Sequence, residues 1–190
     1  MAKGKRLFPT NRPIVCIQGL GFVGVGMSVA VASAMDKRGN PFFNVMGIDL
    51  ETASGRSRID SINAGRFPFK CVDQKMVDFF NRAIQRENLK ASSDETIYAI
   101  ADYIIVDIPL DITFDEKKND YNIDLPPFQK AIRTFGERMK PECLVIIETT
   151  VPPGTCECIV LPELRACFRQ RGLDEKKVLL AFSYERTMPG

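Results

Sequence analysis

Histidine is missing from all 190 residues. Its absence removes the side chain most often used as a general base and as a metal ligand. It also excludes any Ser-His-Asp or Cys-His site built within this chain. Cysteine occurs six times, at Cys16, Cys71, Cys143, Cys156, Cys158 and Cys167, but never as C-x-x-C. Cys156-x-Cys158 alone has no partner pair for a zinc site, so no metal is expected. An excess of one charge is lacking too. Twenty-six Lys and Arg against 24 Asp and Glu leave +2, too little for a broad field that gathers nucleic acid. Lys3, Lys5 and Arg6 form only a small basic tail. Repeats and low-complexity stretches are absent.

Neither a membrane span nor an export signal is expected of the one long apolar run. The start of the chain is basic, residues 14–35 are mostly apolar, and Ala32-Ser33-Ala34 has the outline of a cleavage site. Four glycines, Gln18 and a helix-opening turn lie inside that run and break the pattern. No membrane partner is expected. With no export signal, the thiols are expected to be reduced in a cytoplasm. Cys16 and Cys143 sit in or beside predicted strands and read as small core residues.

What is present is a glycine pattern in a telling place. Ile14-Val15-Cys16-Ile17 is a short β-branched run that predicts a buried strand. Gly19, Gly21 and Gly24 follow at G-x-G-x-x-G spacing, and residues 22–35 predict a buried helix. Gly19 permits a tight turn out of the strand. Gly21 has no Cβ, so a pyrophosphate can approach its backbone, and Gly24 lets the helix pack close to the sheet. The helix N-terminus offers N–H groups and a positive dipole end to phosphates. The cofactor-binding candidates here are Gly19, Leu20, Gly21, Phe22, Val23 and Gly24. A ribose-gripping acid is expected about 20 residues further on, at the end of the second strand. Asp49 closes Asn44-Val45-Met46-Gly47-Ile48, 25 residues beyond Gly24, and Gly39-Asn40-Pro41 supplies the intervening break. A carboxylate there accepts from ribose hydroxyls and repels a 2′-phosphate, so NAD is expected over NADP.

Along the rest of the chain, residues 1–12 read as a flexible tail and residues 13–190 as one domain. Residues 51–58 are a polar connector leading to a short helix over residues 59–65, closed by Gly65 at its C-terminal end. Residues 73–88 have helical spacing, Ser92-Ser93-Asp94 is a turn, and residues 96–100 predict a short strand. Residues 103–108 predict a strand ended by Pro109. Residues 111–122 carry many charges without apolar period and read as a loop. Residues 125–139 are an amphipathic helix with Pro126 and Pro127 in its first turn. Residues 144–148 form a strand, residues 155–171 a helix that Pro162 kinks or restarts, and residues 178–182 the last strand. Hydrophobic residues make up 45%, enough for a core. The fold class expected is α/β, a doubly wound, mostly parallel sheet in a single domain. Ligands of such sheets bind beyond the carboxyl ends of the strands. The polar clusters Gly19–Gly24, Asp49, Asp107–Asp111, Glu148–Thr150 and Ser183–Arg186 are expected to meet in one crevice there.

Four stretches in this order resemble the nucleotide-sugar dehydrogenases, which oxidise UDP-glucose or UDP-N-acetylhexosamines to uronates. They are Gly19-Leu20-Gly21-Phe22-Val23-Gly24; Ile62-Asn63-Ala64-Gly65 with Pro68; Glu148-Thr149-Thr150-Val151-Pro152-Pro153-Gly154-Thr155; and Ser183-Tyr184-Glu185-Arg186-Thr187-Met188-Pro189-Gly190. The third is similar to the family's E-S-T-V-x-P-G-T and the fourth to its S-P-E-R-x-x-P-G. The resemblance implies a Rossmann-like fold and NAD as cofactor. It implies two successive hydride transfers from C6 of a UDP-sugar, with a cysteine holding the intermediate. By the same resemblance Thr150 and Glu185 are catalytic, Thr150 and Pro109 contact the cofactor, and Glu185 and Arg186 bind substrate. A homodimer or larger assembly of the full-length enzyme is implied as well.

The departures are specific. Ile108-Pro109-Leu110-Asp111 keeps the proline of the family's V-P-T-P but not its threonine. The segment between Asp49 and Asn63 is longer than usual, and Arg56 or Arg58 can alter the adenosine pocket. Pro189-Gly190 leans toward the N-acetylhexosamine branch. Family members are more than twice as long, so the chain corresponds to an N-terminal piece. Their central segment and the C-terminal domain with the nucleophilic cysteine are outside it, and none of the six cysteines here is that nucleophile. Two other readings stay open: a non-catalytic dinucleotide-binding sensor or scaffold, and another dehydrogenase with this type of cofactor domain.

Overall fold

The computed structural model describes residues 7–110, 112–115 and 119–185. They fall into two compact units, Met1–Ser93 and Asp94–Gly190.

The first unit runs β1 (Ile14–Gln18), α1 (Phe22–Ala32), β2 (Asn44–Ile48), α2 (Ala53–Asn63), α3 (Gln74–Gln85) and β3 (Leu89–Ser92). Its strands are parallel, in the order β3-β2-β1. β1 and β2 are buried almost throughout, as central strands of a parallel sheet covered on both faces are. Residues 7–12, read in the sequence with the tail, are held against this unit. Phe8 is buried, Lys90 donates to the Leu7 carbonyl at 2.8 Å, and Asn44 donates to the Thr10 carbonyl at 2.9 Å.

Three expectations are corrected in the first unit. α1 ends at Ala32 rather than residue 35, because Phe42 N–H and Asn88 Nδ2 take the carbonyls of Ala34 and Ala32. The polar stretch before residue 59 is helical from Ala53. Thr52 caps it by accepting from Gly55 N–H at 3.1 Å, and its polar face points to solvent. Leu89–Ser92 is a strand, so Ser92 belongs to β3 and not to the turn expected over Ser92-Ser93-Asp94. Gly65 does close α2, with φ +70°. Asn63, at the end of that helix, grips β3 from outside. Its amide donates to the Ala91 carbonyl at 2.8 Å and its carbonyl accepts from Ala91 N–H at 2.9 Å, as a neighbouring strand would.

The second unit runs β4 (Tyr103–Val106), β5 (Ile112–Asp115), β6 (Asp120–Ile123), α4 (Leu125–Gly136), β7 (Leu144–Ile147), α5 (Leu161–Gln170) and β8 (Leu179–Phe182). β4, β7 and β8 are parallel, in that order, and β5 and β6 form a separate antiparallel hairpin. That hairpin corrects the loop expected over residues 111–122; Asn119 turns it at φ +50°. The strand expected over residues 96–100 is instead a 3₁₀ turn, Glu95–Ile100, because Asp94 accepts from Thr96 N–H and hydroxyl. Pro162 restarts the helix as expected: a π turn, Cys156–Val160, precedes it and α5 follows. Tyr98, Phe128, Phe135 and Phe168 are buried in the core of this unit.

Candidate functional site

In the first unit, the glycine turn connects β1 to α1 as expected. Gly19 has φ +97°, the left-handed region that glycine enters without strain, and its N–H donates to the Ile48 carbonyl at 2.9 Å. Leu20 is fully buried and leans over β2, so close that a Cβ on Gly47 would lie 2.4 Å from it. Its side chain therefore belongs to the core, and only its backbone can serve a ligand. Gly21 is the N-cap of α1, with φ −64° and ψ −173°, and a Cβ built there meets nothing within 4 Å. Neither its backbone nor its neighbours demand a glycine. The unexplained glycine, on open space at a helix start, fits the close approach of a pyrophosphate. No acidic side chain stands in the first turn, so Phe22, Val23 and Gly24 carry the first N–H groups with no carboxylate to rival an anion. Phe22 is partly exposed, with its ring 6.1 Å from that of Phe69. Gly24 is buried, and its carbonyl accepts from Ser28 Oγ at 2.7 Å.

Asp49 follows β2 directly. One carboxylate oxygen accepts from Leu50 N–H at 2.8 Å and the other from Arg58 Nε at 2.8 Å. Arg56 turns to Glu51 instead, at 3.3 Å in an exposed pair. Of the two arginines flagged in the sequence, Arg58 is the one beside Asp49.

In the second unit, the candidate residues sit at the carboxyl ends of its parallel strands. Val106, Ile147 and Phe182 are in register across β4, β7 and β8. Glu148 and Thr149 N–H both donate to the Val106 carbonyl, and Thr149 Oγ1 donates to the Ile108 carbonyl at 2.7 Å. Ser183 N–H donates to the Ile147 carbonyl and Glu185 N–H to the Glu148 carbonyl, at 2.9 and 3.0 Å. Thr150, which is exposed, donates its hydroxyl to the Glu185 carbonyl at 3.4 Å. The two catalytic candidates, Thr150 and Glu185, are thus brought together. Pro109 is exposed just beyond β4, and Arg186 lies outside the described residues.

Two further acids at these ends were seen in the sequence only as polar clusters. Glu148 is 6% exposed, and its Oε2 and both carboxyl oxygens of Asp107 are buried with no donor among the described residues. Asp107 and Glu148 directly follow the paired residues Val106 and Ile147, so the two acids are neighbours at adjoining strand ends and act on each other's charge. Burial, then the charges of Glu148 and Glu185, push Asp107 up to about 8. Burial raises Glu148 as well. The available signal was an acid placed directly after each of two apolar runs, which parallel pairing in register makes neighbours.

Burial pushes the Cys143 thiol up to about 12 and raises Cys156 and Cys167 too, so these thiols are held away from the reactive thiolate. Among the described residues no group of three or more Cys, Asp or Glu could hold a metal ion, and no helix is long and apolar enough to cross a membrane.

These features define a dinucleotide-binding α/β domain. The chain belongs to the UDP-glucose/GDP-mannose dehydrogenase family: residues 14–190 match its NAD binding domain. It is 28% identical over 176 residues to the UDP-N-acetyl-D-mannosamine dehydrogenase of Methanocaldococcus jannaschii, covering 93% of this chain and 35% of that protein. It is 27% identical over 180 residues to the enzyme of the same name from Escherichia coli K12, covering 93% and 38%. The structure of NDP-N-acetyl-D-galactosaminuronic acid dehydrogenase from Methanosarcina mazei Go1 superposes with a TM-score of 0.76 at 25% identity, over 93% of this chain and 35% of that one. That likeness carries the doubly wound, mostly parallel, Rossmann-like fold expected from the sequence. The chain spans little more than a third of the length of these relatives.

Proposed function

We propose that this chain supplies the cofactor-binding part of an enzyme that oxidises the C6 alcohol of a UDP-sugar to the uronate, in two NAD-dependent steps. The names of the relatives favour an N-acetylhexosamine as the sugar, in line with Pro189-Gly190. The observation that carries the reading is the meeting of Thr150 and Glu185 at the ends of β7 and β8. A nucleotide-binding scaffold has no need of a hydroxyl tied to the backbone of a glutamate at the ends of these strands.

NAD, when bound, accepts hydride. Toward it, Gly19 to Gly24 offer backbone N–H groups and the α1 dipole to the pyrophosphate, and Asp49 accepts from the ribose hydroxyls. Pro109 and Thr150 line the nicotinamide end. Glu185 orients a water molecule and can take its proton when the acyl intermediate is hydrolysed. Glu185 and Arg186 contact the sugar substrate. The residues on the far side of the sugar, and the cysteine that would hold the intermediate, are not assigned to any residue of this chain. All six cysteines are free, which suits a reducing cytoplasm. A homodimer or larger assembly is proposed for the full-length enzyme, with no nucleic-acid or membrane partner.

Isothermal titration of the chain with NAD tests the cofactor half. The Glu185→Gln and Thr150→Ala substitutions, placed in the complete enzyme, test the other. Each should lower kcat by about 10²-fold or more. An undiminished kcat for both would end the reading.

A further inference from the structure

We propose that Asp107 and Glu148 hold one proton between them and that the single negative charge of this pair sets the proton affinity of Glu185, making both positioning residues for it. This rests on the reading of Glu185 as the water-orienting carboxylate.

The placement comes from the sheet. Asp107 and Glu148 are the residues immediately after β4 and β7, whose last residues, Val106 and Ile147, are paired. Glu185 N–H is bonded to the Glu148 carbonyl, and Thr149 ties the β7 end to the β4 end through Val106 and Ile108. The three acids therefore stand on backbone held by hydrogen bonds rather than on free loops. Glu148 is 6% exposed, and its Oε2 is buried with no hydrogen-bond partner among the described residues. The charges that reach Asp107 are those of Glu148 and Glu185.

Two ionised carboxylates facing each other at that depth would be strongly unfavourable. One proton removes a charge and turns the contact into an O–H···O⁻ bond, the stronger, charge-assisted kind. Burial and the charge of Glu148 favour Asp107 as the proton's holder. The hydrogen bond from Asp107 pulls Glu148 toward the ionised form, against the effect of burial. The pair then carries one negative charge through the neutral range and titrates as a unit. In a chain without histidine, it supplies a charge change near neutral pH, next to the carboxylate that must handle a proton.

The charge count gives a signature that ordinary carboxylates lack. In Asp107→Asn the remaining Glu148 still carries one charge, and in Glu148→Gln the remaining Asp107 does. Only Asp107→Asn with Glu148→Gln together removes it. Carboxyl-carbon NMR titration of the 190-residue chain, labelled at Asp and Glu, reads this directly, with Glu185→Gln identifying the Glu185 step. The wild type should show one carboxyl step near 8. Each single variant should lose that step and leave Glu185 where it was. The double variant should lower the Glu185 step by roughly one unit. A wild type with no step near 8, or a Glu185 step that drops in either single variant, would overturn the proposal. If the double variant fails to fold, the single variants alone decide it. NAD titration of the same samples separates the two readings. Absence of NAD binding with the one-proton signature intact would defeat the proposed function and leave this inference standing. Ordinary carboxyl titration with NAD binding intact would do the reverse.

Discussion

Arg58 Nε lies 2.8 Å from a carboxylate oxygen of Asp49, the acid that follows β2. The Asp49 side chain is 10% exposed and that of Arg58 25%, so solvent screens this pair less than a surface ion pair. The arginine holds the carboxylate in place, and in the proposed cofactor site it would also bring a guanidinium near a 2′-phosphate.

Cofactor choice follows from that relationship. The intact chain should bind NAD more tightly than NADP, because Asp49 accepts from ribose hydroxyls and repels a phosphate. In Asp49→Ala the guanidinium of Arg58 is released to pair with the 2′-phosphate. NADP should then gain at least about tenfold on NAD, about 1.4 kcal/mol. Isothermal titration with both cofactors measures it. Tighter NADP binding by the unaltered chain would contradict the assignment of Asp49.

Gly21→Val should abolish NAD binding and leave the fold intact. The backbone of Gly21 is at φ −64°, which valine adopts, and the space around its Cβ position is open. The cost to stability is that of a poorer N-cap, about 1 kcal/mol. Gly55→Ala provides the contrast, because its Cβ would lie 2.0 Å from the Leu50 carbonyl oxygen. That variant should lose about 1–3 kcal/mol from the clash. Thermal unfolding followed by circular dichroism, beside NAD titration, separates the two. A Gly21→Val chain that binds NAD normally would make the glycine turn purely structural.

The glycine turn, Asp49 and the Thr150 and Glu185 motifs were legible because each is a local pattern of residue types. The parts that were not legible depend on partners distant in sequence. Leu89–Ser92 alternates, with Leu89 and Ala91 buried and Lys90 and Ser92 partly exposed. Its four residues are too few to declare a strand without Asn63 and β2 beside them. The first half of α2 buries only Gly55, so no apolar stripe announces it; the Thr52 cap and the Asp49–Arg58 pair sustain it. The β5–β6 hairpin lies in a charged stretch, and charge had argued for a loop. Asp107 and Glu148 are 41 residues apart, and only the register of β4 with β7 makes them neighbours.

The same two acids make stability depend on pH. Asp107 ordinarily titrates at 3.8 and is pushed up to about 8 in the folded chain, by burial and then by Glu148 and Glu185. Between those values the folded chain holds a proton that the unfolded chain has released. The stabilisation is complete below about pH 4 and is lost as pH rises through about 8. Asp107→Asn can donate to Glu148 at every pH, so it should flatten this decline. At about pH 9 it should be the more stable chain by about 1–3 kcal/mol, the range for a buried group left without a partner. That corresponds to a rise in Tm of about 2–4 °C per kcal/mol for a chain of this size. Melting curves at about pH 5 and pH 9 test it. A parallel pH dependence in the two chains would show that Asp107 is ionised throughout.

The 190-residue chain alone should not oxidise a UDP-sugar. Hydride transfer needs the cofactor, which this domain holds, and it needs C6 of the sugar fixed against the nicotinamide. Positioning of that kind is worth about 7–11 kcal/mol of a barrier. In the proposed function Thr150 and Glu185 form only one wall of such a site, and the chain spans little more than a third of the length of the relatives that carry the activity in their names. The covalent step needs a reactive thiolate. Burial raises Cys143, Cys156 and Cys167 away from that state, and Cys16 is buried inside β1. With no histidine there is no ordinary base to activate a thiol. The test is to incubate the chain with NAD and UDP-glucose, UDP-N-acetylglucosamine or UDP-N-acetylmannosamine and follow NADH absorbance. The expected rate is indistinguishable from that without enzyme. Turnover at roughly 1 per second or faster, an ordinary enzymatic rate, would refute the expectation. It would direct the search for a nucleophile to Cys71, Cys156 and Cys158, the three cysteines that are not fully buried.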